Sequence, residues 1–378
     1  MWVHSRSKII KKAADKGRQM KKIGLVMIVR NEGRSLEKCL SSAEGLVDDI
    51  YITDTGSTDA TIEIAQSHHA HISEFEWSGD FAAARNYALE QSDCDWNLIL
   101  DADEYLIRGT KKDILDFIES GDRVGAIERH DSYREANGEV SQSCIYVTRL
   151  VPRGTYYGGK VHEQIISELP IAPLPLVFEH DGYLQEGKGQ RNLKILLDEL
   201  EEKPEDSYVL YQVARTLWIM KEFARADQYF EKFYRFVPES GTGYRVSGVI
   251  SYIYNLLELK KYEKGFRIIE AERHCLGGYA DYHFACGTFY TQAIFADVQR
   301  YINYLPKIEL SYRRCLEIGE IPEHEGVLGN GSFKAAYNLG VWFEVNGKAR
   351  EALQYYKMSA DEGYQPAKER IREIEKSV

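Results

Sequence analysis

The 378-residue chain reads as an α/β domain with a mainly parallel sheet, followed by an all-α domain of helical repeats. Two observations predict this. From Ile23 to about Phe178 short apolar runs alternate with amphipathic stretches, the pattern of βαβ units, and from about Gln190 long helical patterns dense in Tyr, Leu, Ala and Glu take over. The length also exceeds what one hydrophobic core usually organises. We therefore place a basic arm at 1–22, the α/β domain at 23–189 and the helical domain at 190–378.

Taken in order, "IGLVMIV" (23–29) is an unbroken apolar run, as a strand covered on both faces requires. "SLEKCLSSAEGL" (35–46) brings Leu36, Cys39, Leu40 and Ala43 to one helix face, and "DDIYITDTGS" (48–57) returns as a second strand ending in a polar turn. "TDATIEIAQSH" (58–68) opens on helix-capping residues and turns Ile62, Ala65 and Ile64 toward the sheet. "DFAAARNYALEQS" (80–92) is an Ala-rich helix, and "WNLILDADEYL" (96–106) is the strand that follows it. In the helical half Leu210, Ala214, Leu217, Ala226, Phe230 and Pro238 occupy positions 4, 8, 11, 20, 24 and 32 of a 34-residue frame starting at Ser207. Gly340, Phe343, Ala352 and Tyr356 occupy positions 8, 11, 20 and 24 of a frame starting at Phe333. Small residues at 8 and 20 let paired helices approach while the aromatic at 24 fills the groove, which is the pattern of tetratricopeptide hairpins. Residues 241–320 fit loosely, with insertions between helices, and three or four stacked pairs are expected because a lone repeat cannot bury its faces.

Composition narrows the function classes. Hydrophobic residues make up 44% and charged residues 28%, as in ordinary globular chains. No run approaches the roughly 18 apolar residues that a membrane span needs, so no integral membrane segment is expected. A net charge of −11 argues against nucleic acid as a partner. Six cysteines, at 39, 94, 144, 275, 286 and 315, lack the paired spacing of a zinc site or a disulfide framework. The first 22 residues carry eight Lys or Arg and one Asp; the apolar pair among those charges, Ile9 and Ile10, is too short for a signal-peptide core, so the chain reads as cytoplasmic.

The chemistry concentrates beyond the carboxyl ends of the strands, where open α/β sheets bind ligands. Four segments stand there: "VRNE" (29–32), "TDTGSTDAT" (53–61), "WSGDF" (77–81) and "DADE" (101–104). Asp59 has the ordinary explanation that Asp starts turns and caps helices. Asp54 and Asp101 come directly off apolar strands, where a carboxylate needs a cation or a hydroxyl beside it. In "DADE" three acids share four positions, and like charges so close repel unless something positive lies between them. Aspartate oxygens suit a hard divalent ion, Mg²⁺ or Mn²⁺, with a phosphate-bearing ligand completing its shell. No GxGxxG joins a strand to a helix and no GxxxxGKS/T occurs, so a metal-bridged diphosphate is the expectation.

In this order, "IVRNE", "TDTGSTDAT", "DFAAARN" and "LILDADE" resemble the nucleotide-sugar half of the inverting family 2 glycosyltransferases with the GT-A fold, over residues 23–104. "GGKVHEQI" (158–165) and "VFEHDGY" (177–183) extend the resemblance to about residue 184. It implies a UDP-sugar donor, with UDP-glucose expected, and a divalent ion, Mg²⁺ or Mn²⁺. It implies that Val29, Arg30, Asn31, Glu32 and Asp54 hold uracil and ribose, that Asp80 and Arg85 contact the diphosphate or donor sugar, and that Asp101 and Ala102 meet the sugar nucleotide. Asp103 would ligate the metal together with Asp101, and His180 would reach back to it. Inverting transfer needs one group to take the acceptor's proton as it attacks the anomeric carbon, while the metal neutralises the departing nucleoside diphosphate. Glu163 and His162 are the candidates for that base, and the choice between them stays open at this point.

A family 2 domain followed by tetratricopeptide-like helices resembles the peptide S-glycosyltransferases that modify sublancin-type bacteriocins at Cys and sometimes Ser. That resemblance implies a peptide acceptor and a homodimer, and a concave solenoid face suits an extended or helical peptide. Two other readings stay open. One is transfer to a lipid-linked or cell-surface glycan; the other is a non-catalytic scaffold using only its repeats, against which the intact Asp54, Asp101, Asp103 and His180 count.

Overall fold

The computed structural model describes residues 21–134, 140–180, 188–239, 243–321 and 324–377. Of the basic arm at 1–22 only Lys21 and Lys22 fall among them, with Lys22 Nζ 2.5 Å from Asp49. Strands β1 (Ile23–Val29), β2 (Asp49–Asp54), β3 (His71–Glu74) and β4 (Trp96–Ile99) run parallel in the spatial order β3-β2-β1-β4. Between them the chain forms α1 (Leu36–Ser42), α2 (Thr61–Ser67) and α3 (Phe81–Gln91), as the apolar periodicity predicts. The pleat explains the unbroken apolar run of β1. Ile23, Leu25, Met27 and Val29 share a core with Leu36, Cys39 and Leu40 of α1, whereas Val26 joins a second core with Ala82, Ala88 and Leu89 of α3. Helix α2 starts at Thr61 rather than at 58, because Asp59 Oδ1 accepts the Thr61 N–H at 3.1 Å and folds the preceding residues into a turn.

The strand expected over 96–106 is two strands. Strand β4 stops at Ile99 and the chain turns through 100–103, where Glu104 N donates to Asp101 O at 3.1 Å and Asp101 N donates to Glu104 Oε2 at 3.1 Å. Strand β5 (Glu104–Arg108), which leads into helix α4 (Lys111–Glu119), then lies at the opposite edge of the sheet. With β6 (Val124–Arg134), β7 (Val140–Pro152) and β10 (Ile171–His180) the full order is β3-β2-β1-β4-β7-β6-β10-β5. Strand β7 runs antiparallel to β4, with Leu150 opposite Leu98, so the sheet is mixed rather than mainly parallel. Strands β8 (Tyr156–Gly158) and β9 (Gln164–Ile166) form a separate antiparallel pair.

The chain divides into two compact units that interleave in sequence. One holds everything up to Glu128, Val147–Gly159 and Glu163–Glu179; the other holds Arg129–Tyr146, Lys160–His162 and the chain from His180 onward. Within the second unit the early part of β7 gains a neighbour from the helical region: β11 (Gly326–Val327) pairs antiparallel with Ser143 and Cys144.

From Lys188 the second unit is helical. Its helices are α5 (Lys188–Glu202), α6 (Ser207–Ile219), α7 (Phe223–Phe236), α8 (Tyr244–Glu258), α9 (Tyr262–Leu276), α10 (Ala280–Ala296), the short α11 (Val298–Tyr301), α12 (Leu305–Ile318), α13 (Phe333–Val345), α14 (Ala349–Asp361) and α15 (Gln365–Ser377). Each long helix packs on its sequence neighbours, the serial stacking of a tetratricopeptide-like array. The small positions work as the repeat pattern demands. A Cβ added to Gly340, at position 8, would lie 2.5 Å from Tyr356, the aromatic at position 24. A frame restarting at 241 puts Gly248 at position 8, where an added Cβ would lie 2.3 Å from Phe233, and Gly287 of α10 is covered by Tyr312 of α12 at 2.8 Å. Residues 241–320 therefore keep the close contacts of the repeat. Their loose sequence fit comes from α11 and the 3-10 turn Ile302–Tyr304 inserted between α10 and α12.

Candidate functional site

Strand register builds the first part of the site. Val29 lies opposite Asp54, so the turns that leave β1 and β2 start level with each other. Asp54 Oδ2 accepts the backbone N–H of Gly56 and of Ser57, each at 3.0 Å, which folds its own turn. Asn31 sits at φ 56°, a left-handed backbone that Asn tolerates better than most side chains. From there its N–H donates to Ser57 Oγ at 2.9 Å and its Oδ1 accepts the Thr58 N–H at 2.7 Å. Glu32 N donates to Thr61 Oγ1 at 2.8 Å and Gly33 N to Asp59 Oδ2 at 3.0 Å. "VRNE" and "TDTGSTDAT" thus form one interlocked platform, on which Val29 is buried while Arg30 and Asn31 are exposed. Asp80 caps α3, its Oδ1 accepting the Ala83 N–H at 2.9 Å, and so fixes the helix that carries Arg85.

Arg85 is the hub of the second part. Its Nη2 donates to Asp101 Oδ1 at 2.5 Å and its Nε donates to Glu163 Oε1. Arg149 of β7 donates from Nη2 to Asp101 Oδ2 at 2.6 Å and to Glu104 Oε1. The positive charge that the "DADE" turn calls for is therefore supplied by the chain itself, through two buried guanidinium groups. Burial works against both charges. For Arg85 the attraction of Asp101 and Glu163, and for Arg149 that of Asp101 and Glu104, outweighs it and lifts each above the ordinary guanidinium value. Asp101 is half-exposed, whereas Ala102, Asp103 and Glu104 are buried. Cys39 Sγ donates to Asp101 O at 3.5 Å; burial first, then Glu104, Asp101 and Asp103, push its thiol well up, which makes it a packing residue. Arg149 and Tyr157, whose ring lies 5.6 Å from the Arg85 guanidinium, are absent from the sequence candidates. A lone Arg or Tyr within a strand carries no spacing signal.

The second unit holds the two histidines. His162 sits at φ 54° and its carbonyl accepts the Tyr208 hydroxyl at 3.1 Å. Burial, and secondarily Arg215, push its imidazole down to about 4, so it is neutral at pH 7. His180, buried at the end of β10, has Nδ1 2.8 Å from Asp131 Oδ1. Asp131 also accepts Arg129 Nε at 2.7 Å and Arg129 Nη2 at 3.1 Å. Burial opposes the Asp131 charge, but the His180 hydrogen bond and Arg129 hold its carboxyl below the usual range. A carboxylate on Nδ1 fixes the imidazole tautomer with its lone pair on Nε2, the form in which histidine ligates metals.

The residues fit a hard divalent ion by donor type, since Asp101 and Asp103 offer two carboxylates two positions apart. Asp101 meets such an ion only by sharing oxygens that Arg85 and Arg149 already engage.

Residues 25–165 match the family described as Glycosyl transferase family 2. Over 223 residues the chain is 26% identical to the SPbeta prophage-derived glycosyltransferase SunS of Bacillus subtilis, covering 54% of this chain and 51% of that protein. Over 91 residues it is 45% identical to the TPR repeat-containing protein Synpcc7942_0270 of Synechococcus elongatus, covering 24% and 23%. The chain thus spans about half or less of the length of these curated relatives. The solved structure of MamA is similar at 15% identity and a TM-score of 0.38, over 48% of this chain and 93% of that one. Residues 25–165 are thus similar to the glycosyl transferase family 2 domain, and tetratricopeptide-like helices follow them.

Proposed function

We propose that the chain is an inverting, metal-dependent glycosyltransferase that moves a sugar from a UDP-sugar, UDP-glucose in the first instance, to Cys or Ser of a bacteriocin-type peptide. The observation that carries this reading is the Asp101–Arg85–Glu163 linkage, in which one guanidinium ties a donor-side acid at the end of β4 to a second acid suited to an acceptor. The family 2 match over residues 25–165 supports the reaction class. The peptide acceptor rests on "KVHE", the histidine before "GY" and the helical tail, taken together.

In this reading the interlocked Asn31 and Asp54 turns receive uracil and ribose through groups already held by Ser57 and Thr58. Asp101 and Asp103 would hold the ion, and the bound ion supplies the charge that a departing diphosphate needs. Glu163 Oε2 takes the proton from the acceptor thiol or hydroxyl as that group attacks the anomeric carbon, and Oε1 stays on Arg85, which keeps the carboxylate aimed. We favour Glu163 over His162 as the base because Arg85 links Glu163 to Asp101, whereas the Tyr208 hydroxyl engages the backbone carbonyl of His162. The repeats receive the peptide, and a cytoplasmic homodimer completes the reading. No helix among the described residues is long and apolar enough to cross a membrane.

The test is transfer from UDP-glucose with Mg²⁺ or Mn²⁺ to a peptide containing Cys and Ser, with Asp103→Ala alongside. Hexose mass added to the peptide by wild type alone supports the proposal. UDP release with an unmodified peptide moves the acceptor to a lipid-linked or cell-surface glycan, and no turnover with any donor sinks the catalytic reading.

A further inference from the structure

Arg149 stands inside β7 with nothing in the surrounding "VTRLVP" to distinguish it, yet it touches both ends of the "DADE" turn. Its Nη2 reaches Asp101 Oδ2 at 2.6 Å and Glu104 Oε1. Glu104 is fully buried, and its other oxygen accepts the Asp101 backbone N–H at 3.1 Å. One guanidinium therefore fixes the Asp101 side chain directly and the Asp101 backbone through Glu104. Buried cations normally have every donor engaged, but Arg149 Nε, Arg85 Nη1 and the Tyr157 hydroxyl are buried without hydrogen-bond partners. The cluster is thus short of acceptor oxygens on its cationic side, the condition of a site that receives an oxygen-rich anionic group.

We propose that Arg149 is the positioning residue of this turn: it aims the Asp101 carboxylate and keeps the acids assembled in the absence of a divalent ion. The inference rests on the reading of the turn as the metal and diphosphate end of a sugar-nucleotide site. Two consequences follow from the charges. In wild type the fixed cation already neutralises much of the turn, so an added ion has little folding work to do. Without Arg149 the turn loses the cation that joins Asp101 to Glu104 while Arg85 stays on Asp101, so a divalent ion contributes more to holding the acids together.

The test uses the full chain with three variants. Arg149→Met alone leaves Glu104 buried without its cation. Arg149→Met with Glu104→Gln removes the pair together and leaves no buried charge stranded. Arg149→Lys keeps a charge but loses the planar fork. Thermal midpoints are compared in EDTA and in Mn²⁺, and the dissociation constant for UDP is measured by calorimetry in Mn²⁺. For the double variant we expect a larger Mn²⁺-induced rise in midpoint than for wild type and UDP binding about 10–100-fold weaker, with Arg149→Lys between the two. A folded double variant with wild-type UDP affinity and a wild-type response to Mn²⁺ overturns the inference. If the double variant does not fold, Arg149→Lys decides: unchanged UDP affinity and Mn²⁺ response overturn it. Wild type that binds no UDP in Mn²⁺ overturns the donor reading instead, and the Mn²⁺ dependence of stability still decides for Arg149.

Discussion

His162 offers the sharpest quantitative prediction. Its imidazole, desolvated and near Arg215, titrates at about 4 in the folded chain against an ordinary value of 6.5. The sign follows from proton counting. As pH falls from 6.5 toward 4 the unfolded chain binds a proton at His162 and the folded chain does not, so stability is lost in that window and the full contribution is present above it. The limiting loss is about 3 kcal/mol, and at about pH 5 linkage gives roughly 2 kcal/mol. Asn tolerates the left-handed backbone at this position, so His162→Asn removes the titration without new strain. The assay is urea unfolding of wild type and His162→Asn at about pH 8 and about pH 5. The variant should lose roughly 2 kcal/mol less than wild type between the two. Parallel losses in the two proteins, or an NMR titration of His162 near 6.5, would refute the reasoning.

Other expectations follow from single contacts. Gly340→Ala drives a methyl into Tyr356 and should cost about 1–3 kcal/mol, read as a lower thermal midpoint. Glu163→Gln should lower kcat by about 10²–10⁴-fold while UDP affinity stays near wild type, since the acid acts on the acceptor; equal losses in both would remove it from the base role. Asp131→Ala removes the carboxylate that Arg129 and His180 Nδ1 share, and should cost about 1–3 kcal/mol of stability in chemical denaturation. Removing divalent ions with EDTA should abolish transfer, and added Mn²⁺ should restore it; transfer that persists in EDTA would exclude a metal requirement.

Much of the architecture was legible in the sequence. Period-2 and period-3.6 patterns depend on side chains close along the chain, so β1, α1, β2, α3 and the frames at Ser207 and Phe333 could be read directly, together with the acids at the strand ends. Tertiary structure decided what those acids face. "DADE" announces unbalanced negative charge, but the balancing groups come from α3 and from β7, and pairing across 16 and 48 residues leaves no local pattern. The antiparallel placement of β7 beside β4 and the removal of β5 to the far edge of the sheet were likewise decided by packing. An apolar run states that a strand is buried and not which neighbour covers it. His180 illustrates the same division: the sequence supplied an imidazole at a strand end, and the fold supplied Asp131 and Arg129 to fix its tautomer. Local chemistry follows from residue type, whereas charge balance and orientation are sums over neighbours that only the folded chain brings together.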